Sequence, residues 1–459
     1  MFAKKALSCI ILITGVVTLA IGGSTTHAAP TVKTPGPPGE TGRAHPADAT
    51  VDGMAMQAPP LTLFINIWVD DVDNRKPAVA YNSKHDEYLV VWANDRGATR
   101  DIYAQRVASD GTLKSWFCVV SDANQWNFLP AVAYNPVQDE YLIVYTYQVN
   151  TDDFDVYARR VKWNGADLDQ PQYQEFYINI DSDKQWYPAV AYNSTNDEYL
   201  VVYENYWADG RRDIAAQRVS GVFGGGPGGG QLLSWRNIAT APSTVRRLPD
   251  VAYNAARNEY LIAYTYQASA TNGDIYGKIA TFNLGTLSSE KTICGDSYDQ
   301  SSPVVAAGPD EYLVVWEDGT SGTSDYDIFA RRVSGDGVLQ GPSGGFSIAS
   351  DTLDSHIEPD VAYGNVYGYL VTWRYASGGM TGDDVYGRFV KPGQDEPPDS
   401  QFVIDNDISS QREPALACGT QGECLVVEED DWPGGDYEIR GRIVLAYHVY
   451  LPLVLRDFP

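Results

Sequence analysis

Carboxylates in the segments between predicted strands are the first residues of this sequence that could do chemistry. Asp153, Asp354 and Glu358 lie in such segments. Two acids from different loops could act as the acid and the base of a glycoside hydrolase, a mechanism that depends on the separation of their carboxyl groups. His356 is the one histidine in the same loops, and the sequence has no HExxH, P-loop or paired CxxC motif. A catalytic set is therefore an alternative interpretation, and no catalytic residue is predicted outright.

Aromatic residues in the same loops form a second candidate site. These residues are Trp126, Trp186, Tyr187, Trp207 and Trp432. A sugar can stack its CH face on an aromatic ring while polar side chains beside the ring bind its hydroxyl groups. The same rings could instead cover the ends of packed sheets, and both interpretations stay open.

Arginine stands two residues before a recurring proline at three places, Arg75, Arg247 and Arg412. Three guanidinium groups that converge on one point could bind a carboxylate or a sulfate. Arginines that are each paired with a nearby acid would be ordinary rim charges. The spacing alone leaves both alternatives open.

Aspartate-rich loops could bind calcium through oxygen ligands. Such loops lie at 70–73, 181–183 and 405–407. None has the ligand spacing of an EF-hand, so calcium stays an open alternative. No other cofactor is expected.

One unit is repeated seven times along the chain. PAVAYNSKHDEYLVVW at 77–92 is followed by PAVAYNPVQDEYLIVY at 130–145 and PAVAYNSTNDEYLVVY at 188–203, and the opening prolines are 53 to 61 residues apart. Each unit continues with a DIYAQRV-like segment, and most units add a weaker fourth segment. All are of strand length and rich in Val, Ile and Tyr. Four strands per unit is the content of one β-propeller blade.

The two ends of the repeat region complement each other. The last copy stops after its third segment, at 438–445, while an additional strand, LTLFINIW at 61–68, precedes the first copy. Pairing of these two segments would complete the last blade and remove the exposed sheet edges. The sequence therefore predicts an all-β, seven-bladed propeller of four-stranded antiparallel blades, with its ring closed by the N-terminal strand.

Residues that recur in six of the seven copies are assigned to the scaffold, because six copies of one carboxylate cannot be a single catalytic acid. The recurring glutamates are Glu87, Glu140, Glu198, Glu259, Glu311 and Glu423. Their predicted role is structural, in hydrogen bonds within turns or in pairs with Arg106, Arg160, Arg218 or Arg332. The aromatic residues predicted to form the blade core are Trp92, Tyr145, Tyr203, Tyr264, Trp316 and Trp373. Function is therefore sought where the copies differ.

The PxVAYN, EYLVVW and DIYAQRV segments resemble those of bacterial exported seven-bladed β-propeller repeat proteins, over about 61–445. Such proteins are generally without an assigned activity, so the resemblance implies the fold and not a reaction. The sialidase signature Ser-x-Asp-x-Gly-x-x-Trp is absent from this sequence.

The segments on either side of the repeats predict an exported protein. Lys4 and Lys5 precede an apolar stretch, and Ala28 ends a small-residue cleavage site. An uncleaved anchor is the alternative, although the stretch is short for a membrane span. The predicted organisation is a signal peptide at 1–28, a disordered Pro/Gly/Thr-rich tether at 29–60, the propeller at 61–445 and a short apolar C-terminal tail at 446–459. The protein is expected to be secreted, or to be held at the cell surface, with no transmembrane segment after signal removal.

Two cysteines change together in the last copy. ACGTQGEC places Cys418 where Tyr81 stands in the first copy, and Cys424 where Tyr88 stands. Facing positions of a hairpin are close enough for a disulfide in an oxidising compartment. A Cys418–Cys424 bridge is predicted, and the two cysteines on fourth strands of distant blades are not expected to join.

Composition excludes some partners. The formal net charge of −27 at pH 7 repels phosphate backbones, so nucleic acid is not expected to bind. The leading prediction is a non-catalytic binding propeller, expected to be a monomer, that recognises a glycan or protein ligand through its loop face. The alternative is a carbohydrate-active enzyme, a glycoside hydrolase or polysaccharide lyase, that uses the loop carboxylates.

Overall fold

The structure, a computed structural model, describes most of the repeat region, and every named element in the described part is a strand. The described residues are 61–445 without 98, 122–124, 171–172, 181–182, 223–230, 241–243, 270–271, 320–324, 352–353, 378–381, 398–399 and 432–434. The predicted all-β class is confirmed. No helix in this part of the chain is long and apolar enough to span a membrane. The predicted signal peptide, tether and tail lie outside the described residues.

The 28 strands of the described part fall into seven sets of four. Each set has a first, a second, a third and a fourth strand. The first strands are β2 (Asp73–Asn82), β6 (Asn127–Asn135), β10 (Lys184–Asn193), β14 (Val245–Asn254), β18 (Gln300–Ala307), β22 (Ser355–Gly364) and β26 (Ser410–Cys418). The second strands are β3 (Glu87–Asp95), β7 (Glu140–Asn150), β11 (Glu198–Tyr206), β15 (Glu259–Ser269), β19 (Glu311–Gly319), β23 (Gly368–Ala376) and β27 (Glu423–Asp431). The third strands are β4 (Arg100–Ala108), β8 (Asp153–Lys162), β12 (Arg212–Ser220), β16 (Asn272–Thr281), β20 (Tyr326–Ser334), β24 (Asp384–Val390) and β28 (Tyr437–Leu445). The fourth strands are β5 (Leu113–Val120), β9 (Phe176–Asn179), β13 (Leu232–Ala239), β17 (Lys291–Cys294), β21 (Phe346–Ala349), β25 (Phe402–Asp405) and β1 (Leu61–Trp68).

Each set forms an antiparallel four-stranded arrangement. Five sets are separate sheets, and the sets β10–β13 and β14–β17 are joined into an eight-stranded sheet by one parallel bridge, between Arg212 and Val245. The last sheet has the order β1-β28-β27-β26. The predicted pairing of segment 61–68 with segment 438–445 is therefore present, from Leu61 opposite Leu445 to Trp68 opposite Ile439.

The hydrophobic core lies between consecutive sets of strands. Trp92 of β3, for example, shares one cluster with Ile65 of β1 and Ile439 of β28. The predicted core aromatic residues are all fully buried: Trp92, Tyr145, Tyr203, Tyr264, Trp316 and Trp373. One sheet cannot bury both of its faces alone, so the repeated positions are occupied by residues that pack against the next sheet.

Four of the six recurring glutamates form ion pairs within their own sheets. Arg106 donates two hydrogen bonds of 2.8 Å to the carboxylate of Glu87. Equivalent pairs join Arg160 to Glu140, Arg218 to Glu198 and Arg332 to Glu311. A buried charge is tolerated when it is paired and hydrogen-bonded, and this explains why these positions repeat.

The cysteines behave as the sequence predicts. Cys418 and Cys424 face each other across the β26–β27 hairpin and form a disulfide. Cys118 and Cys294 lie in different sheets, and each thiol donates to a backbone carbonyl oxygen. No disulfide joins these two.

Candidate functional site

Every first strand contains a β-bulge, formed by its opening proline and the residue before that proline. In β2 the pairing with β3 passes from Arg75 directly to Ala78, so Lys76 and Pro77 have no partners in β3. Proline lacks the N–H that a ladder requires, so a bulge accommodates it. The residue before each of the seven prolines has a φ between 50° and 56°. A left-handed φ costs a residue other than glycine roughly 1–3 kcal/mol. Because this costly conformation is repeated in all seven first strands, the position is a candidate functional site.

All seven left-handed residues line one cavity of about 490 Å³, which we call the central cavity. We call these residues the pre-proline ring: Lys76, Leu129, Tyr187, Leu248, Ser302, Glu358 and Glu413. Four consecutive ring residues are polar: Ser302, Glu358, Glu413 and Lys76. The other three are Leu129, Tyr187 and Leu248. The cavity therefore has a polar, charged wall and an apolar wall, a combination that suits a small polar organic ligand such as a sugar.

Three carboxylates each accept a hydrogen bond from the backbone of a pre-proline ring residue in the next sheet. The N–H of Glu358 donates to Oε1 of Glu317 at 2.8 Å. The N–H of Glu413 donates to Oε2 of Glu358, also at 2.8 Å. The N–H of Lys76 donates to Oε1 of Glu429 at 2.6 Å. Each carboxylate thus satisfies the backbone donor of a strained residue in the following sheet, and the acids are held in a fixed series.

Four acids line the central cavity, Asp250, Glu317, Glu358 and Glu413, and the last two, which belong to the pre-proline ring, have different electrostatic surroundings. Glu413 is ion-paired with Lys76, and Oε1 of Glu358 accepts a 2.8 Å hydrogen bond from Arg374. Burial raises the pKa of Glu358, and the charge of Glu413 raises it further, while Arg374 opposes the shift. Burial lowers the pKa of Lys76, but the Glu413 carboxylate outweighs this effect and the pKa is raised overall. Glu358 therefore retains its proton to a higher pH than an ordinary glutamate, beside an ion-paired neighbour.

Glu429 lies behind Lys76, outside the residues that line the central cavity. Its side chain is 3% exposed, and its Oε2 is 3.9 Å from the Arg75 guanidinium. Burial raises the pKa of Glu429 to about 7, although the N–H of Lys76 opposes the shift. Because it contacts the backbone of the ring, Glu429 is a positioning residue.

A second cavity of about 270 Å³ opens beside the central one. We call it the side cavity, and it is lined by Lys184, Trp186, Tyr187, Glu204, Tyr206 and Arg212. Tyr187 lines both cavities. Its ring is 39% exposed, and the left-handed φ of 52° holds it between them.

Three of the five predicted aromatic binding residues form one group. The ring centroids of Trp126 and Trp186 both lie 5.9 Å from that of Phe128, and Trp186 lies 6.2 Å from Tyr187. Trp207 directly follows Tyr206 in the chain, and its Nε1 donates to Asp213 at 2.8 Å. Trp432 lies outside the described residues.

The three predicted arginines do not converge on one point. Arg75 stacks 3.8 Å from the ring centroid of Tyr437, and Arg412 donates to the hydroxyl of the same tyrosine at 3.2 Å. Arg75 also pairs with Asp73 at 2.9 Å. Arg247 is in β14, apart from this pair, and none of the three lines either cavity. Arg75 and Arg412 are therefore held by local partners and do not form an anion clamp with Arg247.

Of the three acids suggested by the sequence, only Glu358 lines the central cavity. Asp354 accepts a 2.5 Å hydrogen bond from the hydroxyl of Tyr375, and Asp153 begins β8. His356 is 1% exposed, so it does not present its ring to a ligand. Within the described ranges, no group of three His, Cys, Asp or Glu side chains is arranged to hold a metal ion.

Sequence reasoning missed Glu413, Glu429 and Lys76. The available signal was the residue before each opening proline, a position that changes between copies while the proline stays constant. Its importance depends on the left-handed φ, which is visible only in the structure.

Comparison with known proteins gives a likeness of fold. No protein-family model matches the sequence, and no curated protein matches it. A protein of unknown function from Dyadobacter fermentans is 9% identical with a TM-score of 0.48, over 83% of this chain and 97% of that chain. The GH93 alpha-L-arabinofuranosidase of Fusarium graminearum is 12% identical with a TM-score of 0.44, over 84% and 98%. A sialidase of Trypanosoma rangeli is 9% identical with a TM-score of 0.45, over 85% and 60%.

The prediction of a non-catalytic binding propeller is wrong. The solved structures of similar fold include proteins named as an arabinofuranosidase and as sialidases, a likeness of fold alone. In this chain itself, the central cavity contains the acid pair Glu358 and Glu413, which the repeated background of carboxylates conceals in the sequence. The alternative, a carbohydrate-active enzyme, is the better supported interpretation.

Proposed function

We propose that this protein is a carbohydrate-active enzyme that hydrolyses glycosidic bonds in the central cavity. The observation that carries the proposal is the pairing of Glu358 with Glu413. Both line the same cavity, and the N–H of one donates to the carboxylate of the other. Burial and the neighbouring charge raise the pKa of Glu358, while Glu413 is ion-paired with Lys76. A carboxyl group whose pKa is raised, beside a second carboxylate, is a usual basis of acid and base roles.

Each carboxylate has a distinct role in this reaction. Glu358 donates a proton to the glycosidic oxygen as the bond from that oxygen to the anomeric carbon breaks. Glu413 either attacks the anomeric carbon or removes a proton from the water that attacks it, and these two routes retain or invert the configuration of the sugar. Lys76 is ion-paired with Glu413, and Glu429 fixes the backbone of Lys76.

A neutral sugar fits this cavity better than an anionic one. Among the described lining residues the one cation is Lys76, which is already paired with Glu413. Arg374, behind the wall, is paired with both Glu358 and Asp383. A lyase acting on a uronic acid needs a cationic group to neutralise the substrate carboxylate, so hydrolysis is favoured over the lyase reaction.

We also propose that the seven sets of strands are the blades of one closed propeller. In support, β2 contacts both β6 and β26, so the first strands of the first and last sets are neighbours. Export from the cytoplasm, with a glycan as the external substrate, is supported by the N-terminal sequence and by the Cys418–Cys424 disulfide. A monomer is the expected state.

The test compares Glu358→Gln and Glu413→Gln with the parent protein. The substrates are 4-nitrophenyl glycosides, and linear tetrasaccharides, of arabinose, xylose, galactose and glucose. Glutamine keeps the shape of each side chain and can still accept a hydrogen bond at position 358. Each variant should lose about 10²- to 10⁴-fold in kcat, the usual contribution of a positioned acid or base.

The matched control is Glu396→Gln, which changes an exposed glutamate between β24 and β25. This control should match the parent in kcat and in melting temperature. The proposal fails if the parent protein cleaves none of these glycosides, or if the Glu358 and Glu413 variants, shown to be folded by circular dichroism, keep the parental rate.

A further inference from the structure

We infer that the side cavity is a second sugar subsite, so that the substrate is a chain of at least two neutral sugars extending from the central cavity over the third set of strands. The inference deepens the proposed function and rests on it for the position of the cleaved bond. Proximity is the first reason, because Tyr187 lines both cavities.

Aromatic side chains are concentrated at this one place in the ring. Trp186 and Tyr187 occupy positions that hold Arg75 and Lys76 in the first set and Arg412 and Glu413 in the last. Tyr206 is the last residue of β11. It lies two residue pairs along the β10–β11 ladder from the pair of Trp186 and Glu204. These changes remove charge and add flat apolar surface, so they need an explanation beyond blade packing.

The ring of Trp186 is held firmly from behind. Its centroid lies 4.3 Å from that of Phe154 and 5.9 Å from that of Phe128. Rings packed in this way keep their orientation, and a rigid ring binds a ligand with little loss of conformational entropy. The exposed face of Trp186 is therefore a preorganised platform for the CH face of a sugar.

Polar groups lie around that platform. Arg212 donates to Oε1 of Glu204 at 2.8 Å and stacks 4.7 Å from the ring centroid of Tyr206. The side chain of Lys184 is 34% exposed, and its ammonium group is 4.0 Å from the carboxylate of Asp152. Arg212 and Glu204 neutralise each other, which suits a neutral sugar. A volume of about 270 Å³ suits one sugar ring and not a longer chain.

Binding is measured separately from turnover. In the Glu413→Gln background, the linear tetrasaccharides of arabinose, xylose, galactose and glucose are titrated while tryptophan fluorescence is followed. At least one should change the fluorescence, and adding Trp186→Ala or Tyr206→Ala should weaken its binding about tenfold, because contact with one ring face contributes roughly one decade of affinity. Trp116→Ala, which removes a tryptophan 48% exposed on β5, is the matched control and should bind as the parent does.

The outcomes separate this inference from the proposed function. If no tetrasaccharide binds, or if both added substitutions leave the affinity unchanged, the subsite does not exist. If Trp186→Ala fails to fold, Tyr206→Ala decides the question. Tetrasaccharide binding that depends on Trp186, without cleavage by the parent protein, supports the subsite and contradicts the proposed hydrolysis. Cleavage that is indifferent to both substitutions supports hydrolysis and contradicts the subsite.

Discussion

The backbone N–H of Glu413 donates a 2.8 Å hydrogen bond to Oε2 of Glu358, although 55 residues separate them in the sequence. The two glutamates occupy the same position in consecutive copies of the repeat, directly before the opening proline. The scaffold therefore brings them together without any additional loop. The same position holds leucine in two other copies, and in these two neighbours the charge of Glu413 raises the pKa of Glu358.

Lys76→Met should move the pH dependence of hydrolysis to higher pH. The positive charge of Lys76 lowers the pKa of Glu358, so its removal should raise that pKa and extend the protonated state of the acid. The basic limb of the kcat/KM profile should shift upward in pH, and the maximal rate should fall because Glu413 loses its ion pair.

Profiles of the parent, Lys76→Met and Lys84→Met test this expectation. Lys84 is an exposed lysine in the turn between β2 and β3, so its substitution should leave the profile unchanged. An unshifted basic limb in Lys76→Met would show that Glu358 is not the group that titrates there.

Stability should fall as the pH rises from about 4 to about 7. Burial raises the pKa of Asp360 to about 7 and that of Asp250 to about 6. The unfolded chain releases these protons near pH 3.8, so the stabilisation by the protonated forms is complete below that value and is lost as the pH rises through the folded pKa. Carboxylates whose pKa is lowered, such as Asp95, act below this window.

Urea unfolding at pH 5 and at pH 7.5 measures the difference. The free energy of unfolding should be larger at pH 5, and Asp360→Asn should reduce the difference because it removes one of the titrating groups. A protein that is more stable at pH 7.5 would mean that these carboxylates are ionised in the fold at little cost.

The scaffold could be predicted from the sequence because its rules are periodic. Pairing of Arg106 with Glu87, the burial of Trp92 and the disulfide at Cys418 all follow from comparing aligned copies. The site could not be predicted in the same way. Glu413 stands in a segment that reads as a polar loop, and only the bulge, with its left-handed φ, turns that side chain toward the cavity.

The strain in the pre-proline ring can be measured at Ser302. Ser302 has a φ of 53°, and its hydroxyl donates to Glu317 at 3.1 Å. Ser302→Gly and Ser302→Val both remove this hydrogen bond, so they differ mainly in how they tolerate the left-handed conformation. Valine is β-branched, and the valine variant should be less stable than the glycine variant by roughly 1–3 kcal/mol. Thermal and urea unfolding of the two variants gives this difference. Equal stabilities would show that the backbone at position 302 relaxes and carries no strain.

Removal of one partner from a buried ion pair should cost far more stability than removal of one partner from an exposed pair. Arg160 is fully buried, where it pairs with Glu140 and donates to the carbonyl of Gly221 at 3.2 Å, in the third set of strands. Arg160→Met should lower the free energy of unfolding by about 3–5 kcal/mol, because it leaves the Glu140 carboxylate buried without a partner. Adding Glu140→Leu should restore part of this loss, since the second change removes the uncompensated charge.

Arg257→Met is the matched control. Its pair with Asp310 is exposed to solvent, so no measurable loss is expected. If Arg160→Met is as stable as Arg257→Met, the repeated Glu–Arg pairs do not stabilise the fold, and another reason must explain why the repeat retains them.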